Sequence, residues 1–198
     1  MLAFVASANA AAPQKYTYQF RGLGAQAGFA YYNNCGFSYV NVFVNQNAIH
    51  TDASGKPVTS AVGYIDWYTE DDCSYTSTLG YAFGDLTVSG NFQTLKASGE
   101  LSGSASGQLS GGGYVSWPVI IGVNITVVAT GNSTQRGENS YTFSSPFSWG
   151  QSRWTGTYAD AALSGSITLG SSDLLSGLAP SYGSLFTSNE GSVTLYRL

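Results

Sequence analysis

Charged residues are scarce in this 198-residue chain: Asp, Glu, Lys and Arg make up 9% of it. It also has only one histidine, one methionine and two cysteines. Disordered chains carry high net charge and few aromatic residues, and coiled coils are rich in Glu, Lys and Leu, so this composition excludes both classes. The seven basic residues are outnumbered by 11 acidic ones, which excludes a basic face for nucleic-acid binding.

The chain is instead rich in aromatic and β-branched residues, which alternate with polar ones between clusters of Gly, Ser and Asn. Residues 16–20, 37–44 and 123–127 are clear examples, and this period of two is typical of strands. The one helical pattern is a single turn over 172–178, which Asp173 would cap. The sequence therefore predicts an all-β fold, an antiparallel β-sandwich of the jelly-roll or immunoglobulin-like type, with a β-barrel as the alternative.

Residues 1–12 are predicted to be the remnant of a secretory signal peptide. A short apolar stretch leads into Ala8, Asn9 and Ala10, which form the A-x-A pattern of a cleavage site. The basic segment that normally begins such a peptide is missing, and an ordinary Ala-rich terminus is the alternative. We therefore expect a secreted protein, extracellular or periplasmic, whose mature chain begins near Pro13.

Both cysteines, Cys35 and Cys73, lie in the mature chain. An even number of cysteines in an exported protein favours an intramolecular disulfide, and the alternatives are two buried thiols or a redox pair. The C-x-x-C spacing of redox proteins is absent. We predict one disulfide, which would stabilise the fold by roughly 4 kcal/mol in the chain-entropy model.

The segment 98–113, SGELSGSASGQLSGGG, has the most biased composition. It is either a flexible linker between two small β-domains or a Gly-rich strand and loop within one sandwich. Two half-length domains would each have a marginal core, which favours a single domain over 13–198. The most apolar internal run, 117–129, is shorter than the ~20 residues that a membrane-crossing helix needs, so no transmembrane span is predicted.

Residues suited to catalysis are few. His50 is the only histidine and lies in the polar stretch 45–57, where it is predicted to be an exposed loop residue. No G-x-S-x-G motif is present to supply a nucleophile. Phosphate-binding and dinucleotide-binding motifs are also missing. We expect no catalytic residues and no cofactor.

The only acidic cluster is formed by Glu70, Asp71 and Asp72, immediately before Cys73. Consecutive like charges usually lie in a solvated loop, where their repulsion is screened. With Asp66 these residues are a secondary candidate for calcium binding, because calcium prefers carboxylate and carbonyl oxygens. Their spacing matches no calcium-loop motif, so the solvated loop is the favoured interpretation.

Aromatic residues are the candidate ligand contacts. Neighbours along a strand point to opposite faces, so the two rings in Tyr31-Tyr32 or in Trp67-Tyr68 cannot both lie in the core of a one-sided sheet. The competing interpretation is that these rings fill the core, where each buries a large area. Rings on an outer face would offer stacking surfaces for sugars. The candidate binding residues are Tyr31, Tyr32, Trp67, Tyr68, Trp149 and Trp154.

Several short segments, in their order along the chain, resemble a family of exported bacterial all-β proteins of uncharacterised function. These segments are FRG at 20–22, Cys35-Gly36, NVFV at 41–44, Asp72-Cys73, SSPF at 144–147, RWTGTYADAALSGSITLG at 153–170 and GSVTL at 191–195. The resemblance implies a secreted all-β protein and brings no activity, ligand or catalytic residue. A lesser similarity is to donor-strand pilin subunits, which have an early disulfide and an aromatic residue near the terminal strand, as Tyr196 would provide.

These observations together predict a secreted or cell-surface module with a binding or structural role and no enzymatic activity. A surface of Ser, Thr, Asn, Gly and Tyr suits neutral polar partners, so we expect recognition of neutral glycans through exposed aromatic residues. The alternative is a self-assembling filament or matrix subunit, indicated by the low charge and the β-rich terminus 191–198. A hydrolase that uses His50 or the acidic cluster ranks below both.

Overall fold

A computed structural model describes residues 14–51, 57–108, 112–146 and 148–196. The strands are β1 (Gln14–Asn33), β2 (Gly36–Thr51), β3 (Pro57–Asp71), β4 (Thr76–Asp85), β5 (Thr87–Gly90), β6 (Thr94–Gln108), β7 (Tyr114–Ser144), β8 (Ser148–Leu169), β9 (Ser172–Asp173) and β10 (Ala179–Tyr196). These residues contain no helix, and hence none that could cross a membrane. The all-β prediction is confirmed, whereas the predicted signal remnant lies outside the described residues.

All the strands belong to one antiparallel sheet, in the order β10-β1-β2-β3-β4-β6-β7-β8-β9, with β5 paired to β6. Strand β10 pairs with β1 on one side and with β8 on the other. The sheet therefore returns on itself through eight strands and packs its two halves face to face. It is not a regular barrel, because four of these strands continue beyond the others.

The core lies on the inner face of this sheet. Alternation buries every second residue over 40–44 of β2 and 119–127 of β7, and the β-branched side chains at these positions fit the pleated surface well. Among the most deeply buried side chains are Val44, Ile65, Leu95, Leu101, Ile121, Ile125, Ile167 and Leu185. Each such residue contributes about 1.5–3 kcal/mol relative to exposure. The polar members of the alternation consequently face outward.

Four strands continue past the ring and form an extension in the order β1-β10-β8-β7. Within it, β10 pairs with β1 over 14–22 and with β8 over 148–156, and β8 pairs with β7 over 134–144. In these stretches β1 and β7 each have one strand neighbour among the described residues. The extension enlarges the outer face on which the candidate site lies.

The Gly-rich segment 98–113 is part of the sheet rather than a linker. Its residues up to Gln108 belong to β6, which pairs with β4 and β7, and 109–111 lie outside the described residues. A Cβ atom at Gly103 would collide with backbone atoms of Tyr81 and Ala82 on β4. The glycine therefore permits a close approach of two strands.

Two local predictions are wrong. The segment 172–178 forms the short strand β9 and turns instead of a helical turn. The reason is that the Asp173 carboxylate accepts the backbone N–H of Ile167, 3.2 Å away, as well as that of Leu175, which ties the segment to β8. The loop predicted around His50 is in part strand, since His50 pairs with Val58. The His50 side chain lies outside the described residues.

Candidate functional site

The candidate site is a groove of about 470 Å³ on the outer face of the sheet, which we call the outer-face groove. Its base crosses β2, β1, β10, β8 and β7, which are consecutive neighbours in the sheet. The lining residues are Gln26, Phe43, Gln135, Trp154, Tyr158, Ala159, Asp160, Tyr182, Gly183, Ser184 and Phe186. Four of these strands, β1, β10, β8 and β7, extend beyond the ring.

Strand register brings these side chains together in rows. Phe43 lies opposite Gln26, Gln26 opposite Ser184, and Ser184 opposite Asp160, which forms one row across four strands. Side chains directly opposite one another in an antiparallel pair are about 4.5–5.5 Å apart at Cβ, so each row is a continuous surface. Residues far apart in sequence thus form one site.

A second row lies beside the first. In this row Phe186 is opposite Tyr158, and Tyr158 is opposite Gln135. The ring of Phe186 also stacks with that of Phe43, with centroids 5.7 Å apart. Same-face positions on a strand are two residues apart, as Ser184 and Phe186 are on β10, so the two rows are adjacent.

Trp154 is held rigidly at one side of the groove. Its indole N–H donates a hydrogen bond to the hydroxyl of Ser188, which is buried, over 2.8 Å. Its ring stacks with Tyr158 at a centroid distance of 6.2 Å and an interplanar angle of 19°. A ring fixed by both contacts loses little side-chain entropy when a ligand binds, which favours affinity.

Glycines lie beneath three of the rings. The ring of Tyr182 occupies the space that a side chain at Gly28 would fill. The ring of Phe186 does the same at Gly24. Trp154 likewise covers Gly137 of the neighbouring strand β7. Aromatic rings that cover glycines on neighbouring strands are a known way of stabilising a sheet. The rings therefore lie low across the strands, with their opposite sides directed away from the sheet.

The groove also contains polar groups that match a ligand rich in hydroxyls. Gln26 and Gln135 supply amides and Asp160 a carboxylate, and none of the described lining residues is Lys or Arg. The Ser184 hydroxyl is shielded from solvent and has no hydrogen-bond partner among the described residues. An unsatisfied buried polar group of this kind costs about 1–3 kcal/mol.

The predicted tryptophans have different positions. Trp154 lines the groove, as a ligand contact should. The prediction for Trp67 is wrong, because Trp67 is 3% exposed and belongs to the core, where its ring lies over Gly80. Trp149 is half-buried at the far end of the extension, opposite Leu195, on the other face of β8 from Trp154. Of these three, only Trp154 reaches the groove.

The predicted tyrosines lie on a different part of the surface. Tyr31 and Tyr32 are exposed at the end of β1, and Tyr68 is half-buried on the outer face of β3. Tyr32 stacks on Phe37 at 5.8 Å, and the tilted rings of Phe37 and Tyr68 are 5.2 Å apart. Tyr39 completes this set, 5.9 Å from Tyr68. We refer to Tyr32, Phe37, Tyr39 and Tyr68 as the aromatic ladder.

Four of the groove's five aromatic residues are not among the predicted contacts: Phe43, Tyr158, Tyr182 and Phe186. For Phe43 a signal does exist, since it alternates with Val42 and Val44, which are buried. The alternation indicates an outward ring but does not indicate its neighbours. Those depend on the pairing of β2, β1, β10 and β8.

A hydrogen-bonded chain runs from the groove to Asp66, on the part of the outer face between the groove and the ladder. The Tyr182 hydroxyl donates to the Asn41 side-chain oxygen over 3.2 Å, and the Asn41 amide donates to the Asp66 carboxylate over 3.0 Å. Burial, followed by the negative charge of Asp66, raises the pKa of Tyr182 above its ordinary value. The same two causes raise the pKa of Tyr39 and of Tyr64, with neighbouring tyrosines as a further cause for Tyr64.

Replacement of Asp66 by Asn is expected to lower the pKa of these three tyrosines toward the ordinary value of 10.0, because a charge that opposes phenolate formation is removed. Because the pKa of these tyrosines is raised in the folded state, the folded chain binds more protons than the unfolded chain above a pH of about 10. The stability that these groups contribute is therefore present below that pH and declines above it. Tyrosinate absorbance measured against pH tests the shift. A titration curve identical to that of the wild type would contradict it.

The predicted disulfide between Cys35 and Cys73 is confirmed, with a Cα–Cα distance of 5.1 Å. It joins the turn between β1 and β2 to the turn between β3 and β4. Each turn is held by a side chain two residues before the cysteine: Asn33 accepts the Cys35 N–H over 2.7 Å, and Asp71 accepts the Cys73 N–H over 2.9 Å. The disulfide therefore connects two turns that already have defined geometry.

The acidic cluster has a structural role at this turn. Hydrogen bonds from the side chain and backbone of Ser74 lower the pKa of Asp71. Glu70 and Asp72 lie beside it at the end of β3, whereas Asp66 is further along β3 and bonded to Asn41. Among the described residues no group of three or more His, Cys, Asp or Glu side chains could hold a metal ion. The suggested calcium ligands are thus not assembled into a site there.

A second concavity, of about 630 Å³, lies on the inner face of the extension. It is lined by polar residues that include Arg136 and Glu138, and Glu138 accepts a hydrogen bond from Arg153 over 3.1 Å. This exposed ion pair contributes little to stability. None of its described lining residues is aromatic, so these residues offer no stacking surface like that of the outer-face groove.

Comparison with protein-family models, with curated proteins and with solved structures gives no match to this chain.

Proposed function

We propose that this protein is an exported module that binds neutral glycans in the outer-face groove and performs no catalysis. The observation that carries the proposal is the composition of the groove as far as the structure describes it: low-lying aromatic rings beside amide, carboxylate and hydroxyl groups, without a basic side chain among them. Binding sites for small polar ligands typically combine apolar walls with a few placed polar groups. The disulfide supports an oxidising compartment, extracellular or periplasmic.

The chemistry of each lining group suits a sugar. The Asp160 carboxylate accepts hydrogen bonds from hydroxyls, and the amides of Gln26 and Gln135 both donate and accept. The apolar side of a sugar ring packs on an aromatic ring such as Trp154. An acidic sugar would meet the Asp160 carboxylate, and none of the described lining residues is Lys or Arg, which makes neutral glycans the favoured class. Glycoside hydrolysis needs two facing carboxylates, and the described lining residues of the groove supply one, that of Asp160.

A glycan array tests this proposal directly. The oxidised protein is expected to bind arrayed neutral hexose oligomers and to leave uronic acid and sulfated glycans unbound, because the lining residues that the structure describes include no Lys or Arg. Tyr141→Ala is the matched control, since Tyr141 is 61% exposed on the outer face of β7 but does not line the groove. The proposal fails if no neutral glycan binds or if acidic glycans bind preferentially.

Ser184→Ala is expected to separate stability from binding. Removing a buried hydroxyl that has no partner leaves the free energy of unfolding unchanged or raises it, because the cost of the unsatisfied group disappears. The same change should leave glycan affinity unchanged, since a hydroxyl that solvent does not reach is not available to a ligand in the groove. Chemical unfolding and calorimetric titration measure the two effects. Reduced stability would contradict the assignment of Ser184 as an unsatisfied buried group, and reduced affinity would contradict its separation from the ligand.

Self-assembly is the second candidate function, and one observation favours it. The stretches 14–22 of β1 and 134–144 of β7 are sheet edges among the described residues, and open edges can pair with another chain. The terminal strand β10 is paired on both sides, so donation of that strand to a neighbouring subunit is not favoured. Light scattering over a range of concentrations tests assembly, and a strictly monomeric species would contradict it.

A further inference from the structure

We infer that the glycan bound by this protein is an extended chain, which continues from the outer-face groove along β2 and over the aromatic ladder. The inference rests on the proposed function and adds the length of the ligand and its path. The groove alone accommodates one end of such a chain. The ladder and the residues between them form the rest of the path.

The groove and the ladder lie on the same face of the same strand. Phe37, Tyr39, Asn41 and Phe43 alternate with the buried Val40, Val42 and Val44 of β2, so the first four point outward together. Phe43 lines the groove, and Phe37 and Tyr39 belong to the ladder. Phe43 and Phe37 are six positions apart along β2, which corresponds to about 20 Å at 3.4 Å per residue. This is longer than one sugar ring, so a single sugar cannot contact both ends.

The middle of this path is occupied by polar groups that are already positioned. Tyr182 both lines the groove and donates to Asn41, which in turn donates to Asp66. These groups can exchange hydrogen bonds with the hydroxyls of a sugar that crosses from the groove to the ladder. Along the path, aromatic rings that can stack on a sugar therefore alternate with groups that can form hydrogen bonds to it.

Cross-strand aromatic pairs also stabilise sheets, which is the competing explanation of the ladder. That explanation does not account for the exposure of its end, since Tyr32 is 73% exposed. The exposed aromatic surface also extends beyond the ladder, since Tyr64, Tyr81 and Phe83 are 41%, 47% and 64% exposed on the same face of β3 and β4. Large exposed apolar patches are characteristic of interaction surfaces. The carboxylate of Asp66 and the absence of Lys and Arg from the ladder favour the same neutral ligand as in the groove.

The test uses calorimetric titration with cello-oligosaccharides and manno-oligosaccharides of increasing length. Wild-type affinity is expected to rise with chain length beyond the disaccharide, at least tenfold for the oligomer that spans the path. Tyr32→Ala should reduce this gain for long oligomers and leave disaccharide affinity unchanged. Tyr32 is suited to the test because it is highly exposed, and substitutions at such surface positions change the free energy of unfolding little.

Gly28→Ala interrupts the path at its middle. The added methyl group collides with the Tyr182 ring, the exposed end of a side chain, so the ring moves and its bond to Asn41 is lost. Affinity for long oligomers should fall by about tenfold toward that of short ones, whereas Tyr141→Ala should leave the length dependence intact. Equal affinity of the wild type for short and long oligomers, or an unaltered length dependence in Tyr32→Ala, would overturn the inference and leave the proposed function standing. Failure of every oligomer to bind would contradict the proposed function itself.

Discussion

Replacement of Cys35 and Cys73 by Ser is expected to lower the free energy of unfolding by roughly 4 kcal/mol. The two cysteines are separated by 38 positions in sequence, and the disulfide restricts the unfolded chain that contains β2 and β3. Both turns keep their own hydrogen bonds from Asn33 and Asp71. The native structure therefore needs little rearrangement, and the loss arises mainly in the unfolded state.

Guanidinium unfolding of the oxidised wild type and of the double Ser variant measures this difference. The wild type unfolded in the presence of a reductant is the control, and it should have nearly the stability of the variant. A decrease below about 1 kcal/mol would show that the unfolded chain is already restricted without the disulfide. Loop closure by the disulfide would then not be a main source of the stability of the fold.

Trp154→Ala is expected to weaken glycan binding by about tenfold to a hundredfold, which corresponds to about 1.4–2.8 kcal/mol. The variant removes the largest ring of the groove and the stacking partner of Tyr158. It also leaves the buried Ser188 hydroxyl without its donor, so a loss of stability accompanies the loss of affinity. Calorimetric titration well below the unfolding temperature measures the affinity.

A second substitution distinguishes lost contacts from lost stability. Gln135→Ala removes an exposed amide at the edge of the groove and should weaken binding by a few-fold without a change in unfolding. Tyr141→Ala lies on the same strand and should change neither property. Affinity that follows stability alone across these variants would contradict a direct role for the groove.

The alternation of residue types predicts much of the fold. Val40, Val42 and Val44 alternate with polar and aromatic residues, and the structure buries these valines and turns the others outward. The rule that neighbouring rings point to opposite faces is obeyed by Trp67 and Tyr68. The rule does not say which of the two rings lies in the core, however. That depends on Gly80 of β4, which makes room for the Trp67 ring in the core.

The site could not be predicted in the same way. The groove depends on the register that places Gln26 between Phe43 and Ser184, and Ser184 beside Asp160. Residues 26 and 184 are neighbours only because β1 and β10 pair, and nothing local in either segment specifies that pairing. A pattern with a period of two fixes faces, whereas cross-strand partners follow from the packing of the whole sheet.

The central claim is that the outer-face groove is where a neutral glycan binds, and amide chemical-shift mapping by NMR tests it most directly. Addition of a neutral hexose oligomer that is positive on the glycan array should shift the amide signals of Gln26, Ser184 and Asp160. The signals of Arg136 and Glu138, on the inner face of the extension, should not move. Shifts confined to the inner concavity, or no shifts at saturating oligomer, would contradict the claim.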